Sequence, residues 1–104
     1  MNHVQKEAVF LKFVFGTSKK QAKFIIANAT DSQAKAIIEI AHNLLHLPLT
    51  GNLKKELQAN SPLLKKLSAE KNPFGIKKAI IHKRYSEIYN ILSYFQKIVS
   101  YIIN

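Results

Sequence analysis

Residues 30–48 read TDSQAKAIIEIAHNLLHLP, and this stretch predicts the central helix of an all-α fold. Its apolar residues recur at the spacing of a helix with one buried face, and they are Ala34, Ile37, Ile38, Ala41, Leu44 and Leu45. Lys35, Glu39, His42 and His46 fall on the opposite face. Thr30 is a favoured N-cap residue, Asp31 suits the positive end of the helix dipole, and Pro48 ends the helix.

Further helices are predicted on both sides of this segment, over residues 4–15, 19–29, 53–59, 62–69 and 76–103. Gly16 ends the first of them, and Thr17 or Ser18 caps the second. The pair Ser61-Pro62 begins the fourth, and Asn72-Pro73 precedes the last, which can run in one piece. The fold class is therefore all-α. We expect one domain over residues 1–104, a compact bundle of five or six helices with two short central helices and a long C-terminal helix.

The core should centre on the helix after Thr30 and on the last helix. The last helix carries a continuous apolar stripe of Ile80, Ile81, Ile88, Ile91, Leu92, Phe95, Ile98, Val99 and Ile102. We expect Ile38, Leu45, Ile88 and Phe95 to be buried. The stripe packs in the core or, where it exceeds what one small core covers, pairs with a second copy of the chain as a homo-oligomer.

Positive charge is concentrated in one part of the chain. The protein carries 16 lysines and arginines against six acidic residues, a net charge of +10. Residues 54–84 alone hold nine basic residues against Glu56 and Glu70, a net charge of +7. Residues 85–104 are balanced, with Lys97 against Glu87. A basic segment of this kind either binds phosphate groups or forms a solvated face that keeps the protein in solution.

An ordered set of short motifs runs through residues 21–84. An asparagine and a leucine pair end an apolar helix, and the turn Leu47-Pro48-Leu49-Thr50 follows. Two leucine-containing basic segments come next, KKEL at 54–57 and LLKKLSA at 63–69, and the cluster at 77–84 closes the set. In this order and spacing the chain resembles a family of small basic proteins from adintoviruses and Polinton-type mobile DNA elements. The chain departs from that family in having one arginine, no glycine pair and a long C-terminal helix.

The resemblance implies a viral protein that handles DNA in the virion or its core. The location implied is the virion, or the nucleus or cytoplasm of a host cell. The residues predicted to bind nucleic acid are Lys54, Lys55, Lys65, Lys66, Lys71, Lys77, Lys78, Lys83 and Arg84. Lysine is a compact point charge that suits phosphate, whereas base edges are usually read by bidentate arginine, so binding without sequence specificity is expected.

Two other functions stay open. A structural module would associate with an acidic capsid or scaffold protein, or with itself through the last helix. A membrane-surface protein would use a basic patch beside an amphipathic helix, although the balanced charge of residues 85–104 disfavours that helix for the role. The N-terminus lacks the pattern of a secretion signal, and no uninterrupted apolar run is long enough to predict a membrane span.

Catalytic, metal and cofactor sites are not predicted. His42 and His46 with Glu39 could give three ligands on one helix, but the spacing lacks the HExxH arrangement and a fourth ligand. The six acidic residues are scattered, and the chain has no cysteine, so disulfides and thiolate metal sites are excluded. A glycine-rich phosphate loop and a nucleophile elbow are both missing from the sequence. We therefore expect no enzyme and no cofactor.

Overall fold

The computed structural model describes residues 2–48 and 50–103, with side-chain surroundings for residues 3–48, 50–52 and 54–99. Within these ranges the chain forms eight helices and no strand. They are α1 (Asn2–Lys6), α2 (Ala8–Gly16), α3 (Lys19–Ala27), α4 (Asp31–Leu45), α5 (Gly51–Gln58), α6 (Ser61–Ser68), α7 (Phe74–Lys83) and α8 (Tyr85–Ile103). The all-α class is confirmed, as are the two short central helices, α5 and α6, and the long C-terminal helix, α8. The number of helices among the described residues is eight rather than the expected five or six, because the first and the last predicted helices are each divided.

The first predicted helix is divided at Glu7, where φ is −102° and ψ is 25°. Tertiary contacts accompany the division. The backbone N–H of His3 donates to Oε2 of Glu39 at 3.2 Å, and the hydroxyl of Ser32 donates to Oε2 of Glu7 at 3.3 Å. These contacts hold α1 against α4, while α2 packs on α3.

The last predicted helix is divided at Arg84, so it does not run in one piece. Arg84 has φ −102° and ψ 40°, and its N–H still donates to the carbonyl of Ile80 at 2.8 Å. Its guanidinium group pairs with Glu87 in the first turn of α8.

Among the described residues, no helix combines the length and the apolar character that crossing a membrane requires.

Side chains cap the helices on either side of the α3–α4 turn. The hydroxyl of Ser18, rather than that of Thr17, accepts from the N–H of Gln21 at 3.2 Å. Thr30 and Gln33 form a reciprocal capping box, as the motif at the start of α4 predicts. For α6 the N-cap residue is Asn60, one position before the predicted Ser61.

The core surrounds α4, which packs against α1, α6, α7 and α8. The side chains buried from this helix are Ala34, Ala36, Ile37, Ile40, Ala41 and Leu44. The main apolar residues that meet them from other helices are Val14, Ile26, Leu63, Leu64, Leu67, Ile81, Ile88, Ile91 and Leu92. Because so many helices contact α4, its buried surface extends further around the helix than one apolar face.

Of the four residues expected in the core, Ile88 is buried, whereas Ile38, Leu45 and Phe95 are only half-buried. These three pack against the core from its edge. Ile38 lines a cavity between α4 and α7, and Leu45 lines a groove shared with α5 and α6. The buried face of α4 is therefore rotated towards Ala36 and Ile40.

Candidate nucleic-acid interface

The two short helices place leucines inward. Leu63, Leu64 and Leu67 of α6 are fully buried, and α6 packs along α4. Leu57 of α5 is half-buried beside a groove of about 160 Å³. The side chain of Leu53 lies outside the described residues. An amphipathic helix anchored in this way turns its polar face to solvent.

Paired lysines occupy that outer face. Lys54 and Lys55 of α5 and Lys65 and Lys66 of α6 are all exposed, and we call them the α5–α6 lysine set. Within the described part of the chain, none of the four forms an ion pair. Their ammonium groups are therefore free to meet an anionic partner.

Two other residues of the predicted site form ion pairs with acidic residues. Nζ of Lys78 lies 2.5 Å from Oδ1 of Asp31, and Arg84 pairs with Glu87. Each cation already has a carboxylate partner, so each is less available to a phosphate. Because both pairs are still reached by solvent, they add little to stability.

The pKa values around these pairs show how close the charges lie. The hydrogen bond and charge of Lys78 lower the pKa of Asp31. The Arg84 guanidinium lowers the pKa of Glu87, and Lys66 adds a smaller effect of the same sign. Lys66 therefore lies within electrostatic reach of Glu87 in the first turn of α8.

Lys77 faces a cavity rather than open solvent. The cavity has a volume of about 490 Å³, and its lining includes Lys35, Lys77, Phe74 and two carboxylates, Glu39 and Glu70. Nζ of Lys35 lies 5.3 Å from the centroid of the Phe74 ring. The mixed charge of this lining makes it a weaker place for phosphate than the exposed lysines.

Of the nine predicted residues, six are therefore exposed and lack an ion pair with any described residue: Lys54, Lys55, Lys65, Lys66, Lys71 and Lys83. The charge of Lys66 acts on Glu87, the partner of Arg84, and lowers its pKa slightly. The structure keeps Lys77 and Lys78 beside carboxylates.

A second basic region, outside the predicted binding residues, lies on α2 and α3. Lys12, Lys19 and Lys20 are exposed there, and Lys23 is half-exposed. The charge total does not show this region, because in residues 1–53 the six lysines are offset by Glu7, Asp31 and Glu39 to a net charge of +3, although these carboxylates contact other groups. One signal could have found it: residues 8–30 hold four lysines and no acidic residue.

The histidines take part in structural hydrogen bonds. Nδ1 of His46 lies 2.8 Å from the carbonyl oxygen of His42, and Oε2 of Glu39 accepts from the N–H of His3. Nε2 of His82 lies 2.9 Å from the carbonyl oxygen of Ala29, which ties α7 to the end of α3. No group of three or more potential ligands suited to a metal ion occurs among the described residues.

Exposed ammonium groups on short, anchored helices can neutralise phosphates without reading bases. Their long, flexible stems let each charge follow a phosphate as the backbone of a nucleic acid varies. Comparison with known proteins finds no family model, no curated protein and no solved structure that matches this chain.

Proposed function

We propose that this protein binds nucleic acid, in the first place duplex DNA, through phosphate contacts and without sequence preference. The observation that carries the proposal is the α5–α6 lysine set. Its four charges are exposed and free of ion pairs with described residues, and the leucines on the other side of α6 are buried. The buried leucines therefore fix the backbone of α6 against the core, and the flexible lysine stems let each charge reach a phosphate.

The residue type favours phosphate over bases. Fifteen of the sixteen basic residues are lysine. The one arginine, Arg84, is paired with Glu87 and has no free fork to present to a guanine. Lysine contacts release condensed counterions from DNA, and this gain depends on salt but not on sequence.

The resemblance of residues 21–84 to proteins of adintoviruses and Polinton-type elements supports a role in DNA packaging or in a virion core. A small protein with a net charge of +10 can neutralise phosphates along packed DNA. Such a role needs many weak contacts of low specificity, which lysines supply.

The test is binding to several duplexes of unrelated sequence over a series of salt concentrations, measured by fluorescence anisotropy. We expect equal affinity for all sequences and a linear fall of log K with log salt. The same measurement with an acidic protein in place of DNA distinguishes nucleic-acid binding from the alternative function, a structural module that binds an acidic partner. Tight binding to that partner with no binding to DNA at low salt contradicts the proposal.

A further inference from the structure

The helix α2 is apolar nearly all the way around, yet one of its faces is open. Phe10, Leu11 and Val14 are buried, whereas Val9 is 82% exposed and Phe13 is 56% exposed. Val9, Phe13 and Gly16 follow one another at helical spacing, with Lys12 between them, and we call these four residues the α2 outer face. Single exposed apolar side chains are ordinary, but exposed apolar side chains that are neighbours on one helix face, as Val9 and Phe13 are, mark an interaction surface.

Shallow apolar grooves lie on the two sides of this face. One, of about 400 Å³, is lined by Val9, Lys12, Phe13, Gly16 and Thr17. The other, of about 480 Å³, has a lining that includes Val4, Leu11 and Phe15. The next helix adds Phe24, which is 68% exposed. Three of the five large apolar side chains found exposed among the described residues thus belong to α2 and α3.

The charge of the α2–α3 segment itself has a single sign. From residue 8 to residue 30 the chain carries Lys12, Lys19, Lys20 and Lys23 and no acidic residue. A partner must therefore be apolar inside and negative at its border. An anionic lipid bilayer has both properties, because its acyl chains receive apolar side chains and its headgroups attract lysine.

We propose that the α2–α3 hairpin docks on anionic lipid surfaces, with Val9 and Phe13 inserted between headgroups. A second copy fits this face poorly, because two copies would set four lysines against four lysines without a carboxylate from either hairpin. A soft, negatively charged interface accommodates the protruding side chains of Val9 and Phe13 together with the lysines of the two helices. This surface differs from the α5–α6 lysine set, so the inference does not rest on DNA binding.

Tryptophan fluorescence tests the insertion directly, because the chain contains no tryptophan. In F13W the indole should shift to the blue on phosphatidylcholine vesicles that contain phosphatidylserine, and brominated acyl chains should quench it. Vesicles of phosphatidylcholine alone should do neither. The matched control is I76W, since the Ile76 side chain is 52% exposed, close to the value for Phe13, but lies on α7. Its fluorescence should not be quenched.

Substitutions then separate apolar insertion from charge. The double variant V9Q and F13Q should weaken vesicle binding by about tenfold or more, because the apolar burial is lost. Its helix content should be unchanged, since both side chains are exposed and glutamine is a good helix former. Replacing Lys19 or Lys20 with glutamine should weaken binding about fivefold each.

Three results would overturn the inference. Equal quenching of the F13W and I76W variants would mean that the protein binds vesicles by net charge, with no preferred face. If the double variant V9Q and F13Q binds vesicles as tightly as the wild-type protein, Val9 and Phe13 do not insert into the bilayer. If light scattering finds a dimer of the wild-type protein and a monomer of the double variant V9Q and F13Q, the α2 outer face binds a second copy of the chain instead.

Discussion

The Oδ1 atom of Asp31 lies 2.5 Å from Nζ of Lys78, 47 residues further along the chain, and the pair joins the start of α4 to α7. The hydrogen bond from Lys78 is the main cause of the lowered pKa of Asp31. A carboxyl group with a lower pKa in the folded protein stabilises the fold above its unfolded pKa. This stabilisation is lost as the pH falls through the folded pKa, and for Asp31 the loss lies below about pH 4.

The first prediction follows from this pair. Lys78→Gln removes the hydrogen-bonded cation, so the pKa of Asp31 should rise towards its ordinary value. The measurement is an NMR titration of the Asp31 carboxyl carbon in both proteins. Glu87 is the internal control, because Arg84 lowers its pKa and that pair is untouched. An unmoved Asp31 midpoint would show that the pair does not persist in solution.

The second prediction separates two neighbouring leucines. Leu44 is fully buried, whereas Leu45 is half-buried at the edge of a groove. Leu44→Ala should lower the free energy of unfolding by about 2–5 kcal/mol, and Leu45→Ala by under about 2 kcal/mol, because the edge site loses fewer contacts. Urea denaturation of both variants measures the difference. A larger cost at Leu45 would mean that the buried face of α4 is wrongly assigned.

The third prediction concerns two glycines with open space around them. Gly51 begins α5 with φ of +66°, a left-handed conformation, whereas Gly75 lies in the first turn of α7 without a positive φ. A Cβ at either position meets nothing within 4 Å. Gly51→Ala should therefore destabilise the fold by about 1 kcal/mol through backbone strain alone. Gly75→Ala should stabilise it by roughly 0.5–1 kcal/mol. Thermal unfolding that gives both variants the same sign would refute the argument.

Local sequence signals predicted the parts of the fold that local chemistry determines. Thr30 caps α4 because its hydroxyl accepts from a backbone N–H of the first turn, and Pro48, which cannot continue a helix, follows the end of α4. The leucines of α6 are buried and its lysines are exposed, because an eight-residue amphipathic helix has one way to face a core.

The breaks at Glu7 and Arg84 could not be predicted, because neither is marked by proline or glycine. Glu7 accepts from Ser32 on α4, and the helices on both sides of Arg84, α7 and α8, each pack on α3 and α4. The orientation of α4 was likewise set by its neighbours: α1, α6, α7 and α8 cover it, so Ala36 and Ile40 are buried as well. Contacts between residues that are far apart in the sequence decide such features, and the local spacing of apolar residues gives no information about these contacts.

The same limit applies to the predicted binding residues. Counting charges along the chain selected Lys77, Lys78 and Arg84 together with the exposed lysines. Only three-dimensional contacts show that Lys78 and Arg84 are paired with carboxylates and that Lys77 faces a cavity.

The last prediction tests whether the position of the charges matters or only their sum. Affinity for duplex DNA should fall with salt at a log–log slope near −0.9 per phosphate contacted, so four to six contacts give about −4 to −5. Replacing the α5–α6 lysine set with glutamine should flatten the slope by up to about 3.6. Helicity should stay the same, since glutamine is nearly as good a helix former as lysine.

The matched control replaces four exposed lysines elsewhere, Lys6, Lys12, Lys19 and Lys20, and so removes the same net charge. Its slope should change much less, because phosphates bound at α5 and α6 keep their contacts. If the two variants change the slope equally, binding follows net charge alone and the α5–α6 surface has no special role. If the wild-type protein does not bind DNA at low salt, phosphate binding is wrong, whereas vesicle binding through the α2 outer face remains testable because different residues carry it.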